Sequence, residues 1–85
     1  MDYVPTMTKQ TILAIDDEVR VLHLLRTTLQ LAGYNVLTAS TGPEGLQMAQ
    51  QPGLDLVLLD LGLPGLNGFD VLMRLRQVCD TPVII

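Results

Sequence analysis

Residues 55–60, Asp-Leu-Val-Leu-Leu-Asp, set four apolar side chains in a row between two carboxylates. The run does not alternate, so it does not read as one face of a half-solvated sheet. A continuous apolar strand is the mark of a parallel strand covered on both faces. Parallel neighbours must be joined by crossovers, which are usually helices. This one segment therefore demands a sheet of like-directed strands between two layers of helix. It also ends oddly. A strand driven through a core should stop on something neutral, yet this one stops on Asp60 and then turns through Gly-Leu-Pro-Gly at 62–65.

The rest of the chain supplies the partners. Thr11–Ile15 is an apolar run of strand length, closed at once by Asp16, Asp17 and Glu18. From Glu18 the period changes: Val19, Leu22, Leu25, Leu29 and Ala32 follow the three-four spacing of one helical face. Leu24 and Leu31 widen that face. Gly33 stops the helix where a left-handed residue is favoured. Tyr34–Ala39 reads as a second strand. Thr41, Pro43 and Glu44 then give an N-cap, a first-turn proline and a capping-box glutamate, opening a helix through Leu46, Met48, Ala49 and Gln50 that Pro52-Gly53 ends. Asp55–Asp60 is the third strand. Asn67-Gly68 opens a third helix carrying Phe69, Leu72, Leu75 and Cys79, and Pro82–Ile85 begins a fourth strand. The order β-α-β-α-β-α-β predicts right-handed crossovers and an α/β fold with helices on both sides of a parallel sheet.

Composition narrows what such a fold can do. The chain has 85 residues, which is one domain at most, and 48% of them are hydrophobic, enough for a core rather than disorder. A domain this short buries only roughly 60–65% of its unfolded surface. No apolar run approaches the roughly 20 residues of a membrane span. The first ten residues are too polar for a signal-peptide core, and a lone cysteine, Cys79, fits a reducing cytoplasm. Net charge is −4, and the five basic residues, Lys9, Arg20, Arg26, Arg74 and Arg76, form neither run nor stripe. That argues against nucleic-acid binding by this segment.

The charged strand ends are the candidate site. In open parallel sheets, ligands bind at the carboxyl ends of the strands, near the point where strand order reverses. If the first and third strands are neighbours, Asp16, Asp17 and Asp60 converge there. Two like charges about 5 Å apart repel by roughly 3 kcal/mol at an effective dielectric of 20. A cation relieves that cost, and hard oxygen ligands suit Mg²⁺ or Mn²⁺. For Asp16 and Asp17 alone the bland reading, capping of the following helix, stands beside the metal reading. Glu18 is a candidate for tuning the same site. His23 reads as a residue of the polar helical face, and Cys79 as a small core residue.

Taken together, "ILAIDDE", "LVLLDLGLPGLNGFDVL" and "TPVII" resemble the receiver domain of two-component response regulators, from about Gln10 to Ile85. The resemblance implies a flavodoxin-like, doubly wound sheet, of strand order 2-1-3-4-5 when all five strands are present. It implies residues 1–9 as a lead-in and 10–85 as the receiver. By the same resemblance Asp60 accepts a phosphoryl group from a sensor histidine kinase or a histidine phosphotransfer protein. Asp17 binds Mg²⁺ directly, Asp16 acts largely through metal-bound water, and the Gly62 backbone carbonyl completes the metal site. Pro64 and Gly68 shape the loop after the acceptor. "DLGLPG" looks more like regulators that carry a winged-helix DNA-binding domain than like single-domain ones.

Two features of the family are not found in this sequence. A complete receiver has five strands and five helices, with a serine or threonine after the fourth strand and a lysine after the fifth. Neither has a match among these residues, and Lys9 precedes the first strand. The expectation is a receiver cut within its fourth strand, with Val83, Ile84 and Ile85 on an open edge, loosely packed or paired with a second copy through that edge. Two rival functions remain. One is an interaction module that transfers phosphate poorly. The other is an aspartyl-phosphate phosphatase of the haloacid dehalogenase type, which wants a second aspartate where Gly62 stands.

Overall fold

A computed structural model describes residues 9–62 and 68–85. Four parallel strands, β1 (Thr11–Ile15), β2 (Asn35–Ala39), β3 (Leu54–Leu59) and β4 (Val83–Ile84), form one sheet in the order β2-β1-β3-β4. Three helices connect them: α1 (Val19–Leu31), α2 (Gly42–Met48) and α3 (Gly68–Val78). The reversal of strand order falls between β1 and β3, the pair that the carboxylate argument requires.

The two faces of the sheet are unequal. Leu13, Ile15, Ala39, Val57 and Leu59 form one continuous core with Ala49 after α2 and Val71 and Leu75 of α3. On the α1 side Ile12, Ala14 and Leu22 are buried, but Leu56 and Leu58 of β3 are only half-buried. Among the described residues, full cover of the third strand on both faces, expected from its unbroken apolar run, is therefore not met. The physical reason is placement: α1 lies against β1 and β2 and leaves the flank over β3 open.

Local expectations hold with small shifts. Gly33 and Gly53 take φ of 98° and 84°, the left-handed region that a β-carbon disfavours. Thr41 caps α2 by accepting from the Glu44 N–H at 3.2 Å, while Glu44 Oε1 accepts from the Ser40 N–H, one residue before the usual capping-box donor. The helix ends at Met48 with Ala49 as its cap, slightly short of Gln50. Phe69, expected on the buried face of α3, is 60% exposed; Val71 and Leu75 fill that place instead. Backbone contact explains the start of α3. A β-carbon on Gly68 would strike the Leu61 backbone, standing 2.6 Å from its carbonyl oxygen.

Candidate functional site

Strand pairing brings the acids together. Ile15 and Leu59 are register partners at the ends of β1 and β3, so Asp16 and Asp60 emerge side by side from the sheet. Ladder bonds continue into both residues: the Asp60 N–H donates to the Ile15 carbonyl at 3.0 Å, and the Asp16 N–H to that of Ala39 at 3.1 Å. Their backbones are thus as fixed as the strands. Each side chain then closes the same small turn. Asp16 Oδ1 accepts from the Glu18 N–H and Asp60 Oδ1 from the Gly62 N–H, both at 2.9 Å. These turns hold one oxygen of each carboxylate in a set direction and leave Oδ2 outside the turn.

Asp17 completes the group. One carboxylate oxygen from each of Asp16, Asp17 and Asp60 can be taken so that all three lie within 4.8 Å of one another. Asp16 and Asp60 are half-buried and Asp17 is exposed. Around an octahedral ion with oxygens at about 2.0–2.1 Å, neighbouring ligands stand about 2.9 Å apart and opposite ones about 4.2 Å. Three oxygens within 4.8 Å fit such a shell after small side-chain rotations, or with one acid bound through water. The donor set is all oxygen and bears three negative charges, which suits a hard divalent cation.

Glu18 is not in that group. It occupies the N-cap of α1, exposed, and its side chain makes no capping bond. The bland reading of Asp16 is met only in part, since it holds the N–H of the cap residue itself rather than one inside the first turn. Gly62 lies two residues beyond Asp60, where any β-carbon would stand 3.4 Å from Asp60 Oδ1. Pro64 lies outside the described residues. Lys9 lies two residues before β1, at the sheet edge opposite Asp16.

One part of the site had no signal in the local sequence. Asp16 and Asp60 open into a cavity of about 520 Å³ whose other walls include Leu25, Leu58, Ile84 and Ile85. Leu25 comes from α1 and the isoleucines from the chain end, so only the folded arrangement sets them beside the acids.

A parallel sheet reversing between β1 and β3, with an acid triad at that reversal, defines a doubly wound α/β domain with an anionic cleft suited to a cation. The family model described as the response regulator receiver domain matches residues 12–85, and the chain belongs to that family. It is 49% identical over 74 residues to the transcriptional regulatory protein KdpE of Mycobacterium tuberculosis, a match covering 87% of this chain and 33% of KdpE. The crystal structure of a response regulator receiver domain protein from Clostridium thermocellum superposes with a TM-score of 0.84 at 35% identity, over 89% of this chain and 63% of that one. A crystal structure of the histidine kinase ThkA in complex with the response regulator TrrA gives 0.80 at 36% identity, over 87% and 65%. This chain thus spans about a third of the length of the curated relative and about two thirds of the solved chains.

Proposed function

We propose that the chain is a phosphoacceptor switch in which Asp60 receives a phosphoryl group from the phosphohistidine of a sensor histidine kinase or phosphotransfer protein. The observation that carries this is the convergence of Asp16, Asp17 and Asp60 at the strand-order reversal of a receiver fold. Asp60 Oδ1 is held by the Gly62 N–H, which orients the carboxylate and leaves Oδ2 as the nucleophile. That oxygen attacks phosphorus, the P–N bond breaks with its electron pair passing to the imidazole nitrogen, and an aspartyl phosphate forms. Water later cleaves this acyl phosphate, returning the carboxylate and inorganic phosphate, so the signal resets.

Asp16, Asp17, Asp60 and the Gly62 carbonyl are the groups assigned to hold Mg²⁺ or Mn²⁺. When bound, the ion supplies positive charge that lets an anionic nucleophile approach an anionic phosphoryl group. Gly68 shapes the loop after Asp60, supported by its close approach to Leu61; Pro64 is assigned the same task from its sequence position. Glu18, beside the triad in sequence, retains the role of tuning it through charge. The family match over residues 12–85 supports a receiver at 10–85 with 1–9 as lead-in.

The domain regulates by being modified, with limited catalysis of its own phosphorylation and dephosphorylation. The same reading sets it in the cytoplasm, with a kinase as partner and, by likeness to transcriptional regulators, a winged-helix DNA-binding output in the parent protein. Among the described residues no helix is long and apolar enough to cross a membrane. A homodimer through the outer edge of β4, where Ile84 and Ile85 are exposed, is the second partner this reading carries. The phosphatase alternative loses weight because the position two after Asp60 is Gly62.

Intact-mass spectrometry tests the assignment. The chain is treated with acetyl phosphate, with and without Mg²⁺, beside Asp60→Asn. A phosphoryl-sized gain requiring both Mg²⁺ and Asp60 is expected. A gain that survives in Asp60→Asn, or none in a folded wild type, rejects it.

A further inference from the structure

Gly45 sits inside α2, a helix of only seven residues that already contains Gly42. Glycine in a helix interior is less favourable than alanine, so its presence there needs a reason. Backbone conformation is not that reason. Gly33 and Gly53 are the glycines with positive φ among the described residues. Gly45 instead keeps ordinary helical bonds, its N–H donating to the Thr41 carbonyl at 3.0 Å and its carbonyl accepting from the Ala49 N–H at 2.9 Å. Space is the reason. A β-carbon at position 45 would stand 2.5 Å from Ile15 Cδ1, 2.8 Å from Cγ1 and 3.2 Å from Cγ2.

Neither partner can back away. Only Ser40 and Thr41 separate α2 from β2. Glu44 Oε1 holds the Ser40 N–H and Thr41 Oγ1 holds the Glu44 N–H, so the first turn of the helix is pinned to the strand end. Ile15 is 1% exposed and belongs to one core with Ala39, Leu59 and Val71, and its β-branched side chain has few rotamers open to it. Close-packed interiors transmit strain, so a methyl added at position 45 is relieved through the Ile15 main chain. That main chain is the junction of the acid site. Ile15 is covalently joined to Asp16, and its carbonyl accepts from the Asp60 N–H at 3.0 Å. One residue thus sets the spacing of two of the three acids.

We infer that Gly45 is a positioning residue for the acid site, its missing side chain giving Ile15 the room that keeps Asp16 and Asp60 side by side for a shared cation. The cation in this inference rests on the reading of Asp16, Asp17 and Asp60 as its ligands; the placement of Asp60 by Ile15 does not.

Two measurements test it together: Mn²⁺ binding, read from the free-ion signal in electron paramagnetic resonance, and amide hydrogen exchange of the metal-free chain. Gly45→Ala should raise the Mn²⁺ Kd about tenfold, as loss of the support behind a ligand does. It should also speed exchange at the Asp60 N–H more than at Leu13 in the middle of β1. Ile15→Val removes Cδ1 and should weaken binding by less. Gly45→Ala/Ile15→Val should bind at least as tightly as Ile15→Val alone, a comparison that carries the test if Gly45→Ala does not fold. Thr41→Ala loosens the start of α2 without touching Ile15 and should keep the wild-type Kd. An unchanged Kd in folded Gly45→Ala, with Asp60 exchanging in step with Leu13, overturns the inference. So does a double variant that binds more weakly than Ile15→Val. A Thr41→Ala Kd raised as far as that of Gly45→Ala also overturns it, because helix stability alone then explains the effect. Wild type that binds no Mn²⁺ rejects the metal reading, and Asp60 exchange in Gly45→Ala alone then decides whether Gly45 positions that residue.

Discussion

The Asp60 N–H donates to the Ile15 carbonyl oxygen at 3.0 Å, one step beyond the last paired residues of β1 and β3. The Asp60 carboxylate is therefore carried on backbone as rigid as the sheet, although its residue lies outside the strand. Fixing it there costs the fold some like-charge repulsion from Asp16 and Asp17.

That cost predicts opposite effects of one substitution in two buffers. Without divalent cations, Asp60→Asn is expected to raise stability by up to about 1 kcal/mol, solvent screening keeping the gain small. Asparagine still offers an oxygen to the Gly62 N–H. With Mg²⁺ at 100 times its Kd the wild type gains about 2.7 kcal/mol and the order reverses. Urea midpoints in the two buffers measure this. A wild-type midpoint that Mg²⁺ leaves unmoved counts against the metal assignment.

Gly68→Ala drives a β-carbon into the Leu61 backbone. Backbone cannot swing aside as a flexible side chain does, so about 1–3 kcal/mol should be lost. A chemical denaturation curve with an unchanged midpoint would show that α3 starts further from Leu61 than described.

Gly45 faces the same problem with a softer neighbour. A β-carbon there would stand 2.5 Å from Ile15 Cδ1, just before Asp16. Gly45→Ala is expected to cost about 1–3 kcal/mol, and Ile15→Val, which removes that terminal methyl, should relieve part of it. A double-mutant cycle reads the coupling directly; strict additivity would mean that the two residues do not touch.

Along α3, Leu75 is fully buried and Met73 is 65% exposed. Leu75→Ala should therefore cost about 2–5 kcal/mol, whereas Met73→Ala should stay within about 0.5 kcal/mol. Similar losses at both positions would mean that the helix is rotated.

At the start of α2, Thr41→Ala removes the oxygen that holds the Glu44 N–H, for an expected loss of about 1 kcal/mol. Thr41→Ser should recover most of it. If serine is as poor as alanine, the hydroxyl is not the source of the effect.

Much of this was legible before folding. Asp16 and Asp60 are legible because each follows an apolar strand without a spacer, so pairing of the strands necessarily pairs the acids. Thr41, Gly33 and Gly53 are legible because caps and left-handed turns depend on their own few neighbours. Leu56, Leu58 and Phe69 were read as more buried than they are. Their hydrophobicity states a preference for burial, but cover depends on where α1 and α3 come to lie, which no local pattern encodes. Leu25 and Ile84 line one cavity beside Asp60 for the same reason: they are 59 residues apart in a chain whose crossovers alone set them together.

β1 is made first yet lies in the middle of the sheet, flanked by β2 and β3. Its ladder on the β3 side closes only when Leu59 meets Ile15, so during synthesis it waits until residue 59 has been made. At about 5–20 residues per second, the stretch between those two residues takes roughly 2–9 s to make. For that time a nascent strand with Ile12, Leu13, Ala14 and Ile15 has one flank unpaired. The position that makes β1 the best-anchored platform for Asp16 also makes it the segment that ribosome-bound chaperones have longest to find.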